Sequence, residues 1–354
     1  MLAPPSARPR IASELGRTQF RRGLSRIAEL KVAVIGETIV DEYAYCDAIG
    51  KSGKEPMLVT RFLRCETQAG GVLAIANHLA DFCGHVEVVS ALGDTERRES
   101  FVRGALRQEV RATFITKPHS PTIVKRRYID ALTQAKMMGV YRLNSEQLRD
   151  ATELCAVLER VLDRVDVAIV ADYGHGLLTD PTIAILAEKA SFLALNTQLN
   201  ADNHGYNVLS RYPRANYACV HEGELRLDAR EPYGPLEGVL ARTLTRIGAQ
   251  AVMVTRGKAG SMLYERGGNL ECCPALAEQV VERVGAGDAV LALSSVAVAA
   301  GLGGAMASFL GNLAGAQAVA VVGNSAAIRK DELVRRGESL LPTEAPRLCI
   351  GGGV

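Results

Sequence analysis

Short, unbroken apolar runs recur along this chain and alternate with stretches of helical periodicity. Residues 31–36, 86–92, 166–171, 192–196, 217–220 and 251–255 read as strands buried on both faces, because none shows the apolar–polar alternation of a half-exposed strand. Between them, 72–82, 96–109, 181–190 and 235–247 read as helices. Strand–helix alternation of this kind predicts right-handed crossovers and a doubly wound, mostly parallel α/β sheet flanked by helices. Ligands of such sheets collect at the carboxyl ends of strands, which is where Asp41, Asp94, Asp172 and the 256–258 turn fall.

Two segments break the alternation. Residues 42–66 and 121–143 contain β-type stretches (57–62, 122–124, 128–129) and read as a small antiparallel lid inserted into the α/β body. Phe20, Leu24, Ile27 and Leu30 stand at helical spacing, so 17–30 reads as a helix packed on the body, while residues 1–10 read as disordered. The chain thus divides into an N-terminal extension (1–30), one α/β domain (31–345) and a short tail (346–354). From Ala289 to Ile328 no residue is charged, a run long enough to span a membrane. It is rich in Ala and Gly and is broken at Gly301-Leu302-Gly303-Gly304, so two helices buried against the sheet fit it better.

Composition narrows the function classes. With 354 residues, 48% of them hydrophobic, the chain can bury a large core. A net charge of only +2 gives no reason to expect a nucleic-acid or membrane partner. The absence of Trp argues against a platform for stacking bases. The eight cysteines include no C-x-x-C pair, and the first thirty residues hold six Arg but no apolar signal core. Reduced thiols in a cytoplasmic protein are expected.

The candidate chemistry lies near the C-terminal end, where Gly285-Ala286-Gly287-Asp288 opens an apolar helix. Glycines let backbone N–H groups approach a phosphate closely, and a helix N-terminus adds unpaired donors and partial positive charge. An acid on that first turn would be placed to take a proton from an attacking hydroxyl. Taken alone, the same four residues also suit a tight turn before a buried helix.

Other stretches fall in a telling order around it. The strand at 31–36 leads to Asp41, and Gly70-Gly71 opens the helix at 72–79. Ala91-Leu92-Gly93-Asp94 and the later Asp172-Tyr173-Gly174 close strands, and Thr255-Arg256-Gly257 precedes the glycine turn. From Lys31 to Ile328 this set resembles the ribokinase-like (PfkB) carbohydrate kinases, with the greatest likeness to the heptose-7-phosphate kinase half of bifunctional ADP-heptose synthases. The resemblance implies a ribokinase-like fold and ATP- and Mg²⁺-dependent phosphorylation of a sugar or sugar phosphate. It also implies a lid that covers the sugar and forms a homodimer contact.

Site residues follow from the same likeness. Asp288 is the expected base, with the N–H groups of Ala286, Gly287 and Asp288 facing the γ-phosphate. Asp41, which can accept two hydroxyl donors, would line the sugar pocket with Gly70, Gly71 and Asn77. Lys125 and Arg127 share one face of a lid strand and would hold a phosphate already on the substrate; a solvated edge strand is the alternative reading. Glu224 would act on Mg²⁺ through water. Thr255, Gly257 and Asn312 would take the nucleotide, although Asn312 reads equally well as a core amide.

The chain also departs from the family pattern. Ala74 stands where the sugar-binding Asn is expected, His221 where another Asn is expected, Glu282 replaces an Asp, and Leu195-Asn196-Thr197-Gln198 replaces an Asp-Pro-Lys. These changes keep two other readings open: a nucleoside kinase, or a kinase-shaped binding or regulatory subunit. No His-x-Gly-His string of a nucleotidyltransferase occurs, so a separate protein is expected to supply that activity. Retention of Asp288 and both glycines favours an active enzyme.

Overall fold

A computed structural model describes residues 15–343; the expectations for residues 1–10 and 346–354 lie outside the described residues. Helix α1 (Arg17–Ile27) buries Phe20, Leu24 and Ile27, as its periodicity predicts. Phe20 meets Phe309 edge to face, with 5.8 Å between ring centroids.

The chain then builds β1 (Lys31–Gly36), the long lid strands β2 (Thr38–Lys51) and β3 (Leu58–Gly71), and α2 (Val72–Leu79). Next come β4 (His85–Thr95), α3 (Glu99–Ala105), β5 (Val110–Pro121) and the lid strands β6 (Ile123–Asp130) and β7 (Lys136–Arg142). Helix α4 (Thr152–Leu162), β8 (Val167–Asp172), α5 (Asp180–Lys189), β9 (Leu193–Thr197), β10 (Tyr217–His221), α6 (Glu222–Ala229) and α7 (Leu236–Arg246) continue the winding. After β11 (Ala251–Thr255), β12 (Ser261–Glu265) and β13 (Leu270–Cys273) come α8 (Ala286–Ala299), α9 (Gly303–Ala318) and α10 (Lys330–Leu340).

Nine strands form one sheet in the order β13-β12-β11-β10-β9-β8-β1-β4-β5. Neighbours from β11 to β5 are parallel, and β12 and β13 add an antiparallel edge. The central strands face two cores. Val32 and Val34 of β1 pack in the core that includes α2, α8 and α9, whereas Ala33 and Ile35 pack in the one that includes α4, α5 and α7. Burial on both faces is why these strands read as unbroken apolar runs.

Two expectations are corrected. The helix predicted over 96–109 shortens to α3, because Glu96 and Arg98 adopt left-handed backbone angles (φ 44° and 54°) that a helix cannot include. The lid is a mixed sheet, β3-β2-β6-β7, rather than an antiparallel one: β2 and β6 pair in parallel. Both emerge from the carboxyl edge of the main sheet, after β1 and β5, so they leave in the same direction. The charge-free run forms α8 and α9, and no helix among the described residues is long and apolar enough to cross a membrane.

Candidate active site

The parallel pairing of β2 and β6 sets Asp41 in register with Lys125. Asp41 is 4% exposed, and its Oδ1 accepts a hydrogen bond from Nη1 of Arg127 at 2.5 Å. Oδ2 rests on Gly70, where any side-chain carbon would overlap it. Gly71 follows at φ +58°, turning β3 into α2. On the opposite face of β6, Arg126 donates to Glu42 at 2.7 Å.

Lys125 differs from its neighbours. It is 7% exposed, yet its ammonium has no hydrogen-bond or ion-pair partner among the described residues. The charge lies over the rings of Tyr141 and Tyr173, 5.8 and 5.9 Å from their centroids. Burial holds its pKa below the ordinary lysine value, with Asp41 acting in the opposite direction.

Asp288 stands on the first turn of α8, and its Oδ1 accepts the Tyr173 hydroxyl at 2.8 Å. Burial pushes its carboxyl up to about 7. The Tyr173 bond and the Lys125 charge work against that rise, and the Asp41 charge adds to it. Gly285 caps the helix at φ +83°, its α-carbon against the side chain of Asn324. The N–H of Ala286 turns to the Arg283 carbonyl at 3.3 Å, so the expected trio of phosphate donors is reduced to Gly287 and Asp288. Open space lies where a Gly287 side chain would project, so an anion could approach the backbone there.

Glu282, just before this turn, accepts from the N–H of Arg283 at 2.8 Å and from Lys136 of β7 at 2.8 Å. The replacement of an expected Asp thus ties the lid to the glycine turn. Asn324 N–H donates to Gln68 of β3 at 2.7 Å and makes a second tie of the same kind.

The other strand-end acids are committed elsewhere. Asp172 accepts from Tyr212 Oη at 2.8 Å, Gly174 N–H at 2.9 Å and Arg211 at 3.2 Å. Asp94 accepts the N–H groups of His119 and Ser120. Glu37, directly after β1, is 3% exposed and receives the N–H groups of Tyr173 and His175, both at 3.0 Å.

Strand β11 ends at Thr255, and Gly257 adopts φ +55° with open space beside it. Asn312 donates to Ser261 Oγ at 2.7 Å and to the Ser308 carbonyl at 2.8 Å, so its nitrogen serves as a core tie between α9 and β12. Glu224 accepts the N–H of His221 at 2.7 Å and that of Leu199 at 2.9 Å. His221 caps α6, its Nδ1 accepting the Gly223 N–H at 3.1 Å, a role an Asn would also fill.

The expectation for Asn77 is corrected. Its Nδ2 donates to the Ala105 carbonyl at 2.9 Å and its Oδ1 accepts the Arg107 N–H at 3.0 Å, so both ends of the amide are engaged in holding the exit of α3, a structural task the sugar-pocket reading did not foresee. Ala74 is 2% exposed and adds nothing polar. Sequence reasoning missed Glu37, Gln68, Asn324 and the bond from Tyr173. Only Glu37 carried a signal, as a charge directly following a doubly buried strand.

A carboxylate on the first turn of a glycine-opened helix, with a second carboxylate on the lid strand β2, is an arrangement suited to phosphoryl transfer to an alcohol. Residues 29–331 match the pfkB family of carbohydrate kinases, and the chain belongs to that family. It is 27% identical over 305 residues to the bifunctional protein HldE of Gluconacetobacter diazotrophicus, a match covering 85% of this chain and 62% of that protein. The HldE of Trichlorobacter lovleyi is 29% identical over 306 residues, with 85% and 61% covered. The chain thus spans less than two thirds of the length of these relatives.

Among solved structures, Escherichia coli phosphofructokinase-2 in complex with substrates and products superposes with a TM-score of 0.71 at 13% identity, covering 88% of this chain and 99% of that one. Arabidopsis thaliana ribokinase complexed with ribose and ATP gives 0.65 at 16% identity, with 88% and 99% covered. The fold is therefore ribokinase-like.

Proposed function

We propose that this kinase transfers the γ-phosphate of ATP to a hydroxyl of a sugar that already carries a phosphate, with heptose 7-phosphate the first acceptor to test. The observation behind this reading is Lys125. A buried cation with no hydrogen-bond or ion-pair partner among the described residues is costly, and an anionic group on the substrate would relieve that cost. Arg127 is committed to Asp41, so it orients the sugar-binding carboxylate and leaves the phosphate to Lys125. The resemblance of the sequence to the heptose-7-phosphate kinase half of bifunctional ADP-heptose synthases supplies the suggestion of a heptose.

In this reading Asp41 accepts two sugar hydroxyls and Asp288 accepts the proton of the attacking one. The N–H groups of Gly287 and Asp288 meet the γ-phosphate, and Thr255, Gly257 and Asn312 border the nucleotide. Mg²⁺, when bound, neutralises charge on the phosphate oxygens. The described residues contain no group of three His, Cys, Asp or Glu able to hold a metal, which suits an ion held mainly by phosphate and water. Each Glu224 oxygen accepts one backbone N–H and retains a lone pair for a metal-bound water. The lid exposes the apolar side chains of Leu58, Phe62, Leu63 and Met138, which a second copy of the chain would cover in a dimer formed through the lid.

The test is an acceptor panel with ATP: heptose 7-phosphate, fructose phosphates, free hexoses and nucleosides, for the wild type and Lys125→Met. Phosphorylated sugars should be preferred. The substitution should raise their KM by about tenfold to a hundredfold, the equivalent of one charge-assisted contact, and leave free sugars little changed. Equal effects on both classes would remove the phosphate from Lys125. ATP binding without turnover on any acceptor would favour the regulatory-subunit reading.

A further inference from the structure

We propose that Tyr173 is a positioning residue for the base: its hydroxyl, donated to Oδ1 of Asp288, leaves Oδ2 as the oxygen open to the acceptor alcohol. This inference rests on the reading of Asp288 as proton acceptor and adds the group that directs it.

The tyrosine is built to be immobile. It is 2% exposed. Its N–H donates to Glu37 at 3.0 Å, and its carbonyl accepts from Asn200 at 2.7 Å and Asn203 at 3.2 Å. The next residue, Gly174, turns the chain at φ +72° and donates to Asp172 at 2.9 Å. The ring also carries the Lys125 ammonium on its face. A carboxylate rotates easily about its last torsion and can offer either oxygen. One fixed donor removes that freedom.

The proton step then has one geometry. The acceptor O–H bond breaks and its proton goes to Oδ2 of Asp288. The alcohol oxygen uses the released electron pair to bond the γ-phosphorus. The bond from that phosphorus to the bridging oxygen breaks, and its electrons leave on the nucleoside diphosphate. Tyr173 neither gains nor loses a proton. Burial beside Asp288 holds its phenol well above the ordinary value, so it remains a donor.

The charged and titratable groups that face Asp288 are Asp41 from β2, Lys125 from β6, Glu224 from α6 and Tyr173 itself. Of these, Tyr173 alone makes a hydrogen bond to it among the described residues.

The experiment is Tyr173→Phe, which keeps the ring against Lys125 and removes only the hydroxyl. A donor to a carboxylate favours its ionised form, so its loss raises the pKa of Asp288. The acid limb of kcat/KM should move up by about one pH unit. Plateau kcat should fall roughly tenfold from lost orientation, and ATP binding should not change. An infrared titration of the carboxyl band, with Asp288→Asn as the blank, should read the same displacement without turnover. A uniform loss of activity at all pH values, with the limb and the infrared titration unmoved, would reduce Tyr173 to a structural residue and overturn the inference. Near-wild-type turnover in Asp288→Asn would sink the base reading and this inference with it. An inactive Asp288→Asn beside an unmoved limb in Tyr173→Phe would sink this inference alone.

Discussion

Gly70 lies directly against Asp41, so close that a side-chain carbon on the glycine would overlap Oδ2 of the carboxylate. The reason for glycine here is space, since the backbone at 70 does not require positive φ. Gly70→Ala should therefore fold and push the Asp41 carboxylate off its Arg127 partner. KM for the acceptor should rise by about tenfold or more, from a lost charge-assisted contact, while calorimetric ATP binding stays near wild type. An unchanged acceptor KM would mean that Asp41 does not hold the sugar.

Asp288→Asn should lower kcat by about a hundredfold or more, the general-base contribution. It should also change stability in a pH-dependent way. The carboxyl has a folded-state value of about 7 against an ordinary 3.8. Between those values the folded protein keeps a proton that the unfolded chain has lost, so this contribution to stability is full at the acid end and declines as pH rises to about 7. The amide variant lacks that decline. Its melting temperature relative to wild type should climb across this window and level off above it. Glu37, also raised to about 7, titrates in both proteins and cancels in the difference. A difference that stays flat with pH would contradict the buried-carboxylate account.

The two glycines of the turn should separate in their effects. Gly285 has φ +83° and packs on Asn324, so Gly285→Ala should lower the melting temperature. Gly287 has open space beside it, and Ala is the better helix former. Gly287→Ala should melt at or above the wild-type temperature yet bind ATP more weakly, because the methyl group occupies the anion's approach. Thermal melts paired with ATP calorimetry check both, and unaltered ATP binding in Gly287→Ala would remove the cradle.

Asn77→Ala should leave the Arg107 N–H and the Ala105 carbonyl without their partner, at a cost of about 1–3 kcal/mol. A lowered urea midpoint with unaltered KM for acceptor and ATP is expected. A raised acceptor KM at full stability would return Asn77 to the sugar pocket.

How much of this was legible in advance depended on the range of the interactions. Most of the central strands could be read within a residue or two because burial on both faces leaves no choice of composition, as Val32-Ala33-Val34-Ile35 shows. The glycine-opened start of α8, with Asp288 on its first turn, was legible because a helix start of this kind is a local device of four consecutive residues. The edges of the sheet were not. Strand β5 is only partly buried, and β12 and β13 are short, so these strands owe their place to neighbours rather than to their own pattern.

By itself, then, the sequence determined the alternation of strands and helices, the amphipathic α1 and the chemistry offered at the start of α8. Tertiary structure alone decided which polar groups were left free. Lys125 and Arg127 are two similar cations on one face of one strand. Arg127 is paired because the lid brings it to Asp41, 86 residues away, whereas Lys125 has no ion-pair or hydrogen-bond partner among the described residues. Asn77 looked like a sugar ligand until the exit of α3 supplied its partners, and Asn312, open to either reading, has its nitrogen engaged by β12. The parallel β2–β6 pairing was likewise invisible, because nothing local encodes a contact across more than eighty residues. A residue's type is written in the chain, but its availability is set by which distant atoms reach it first.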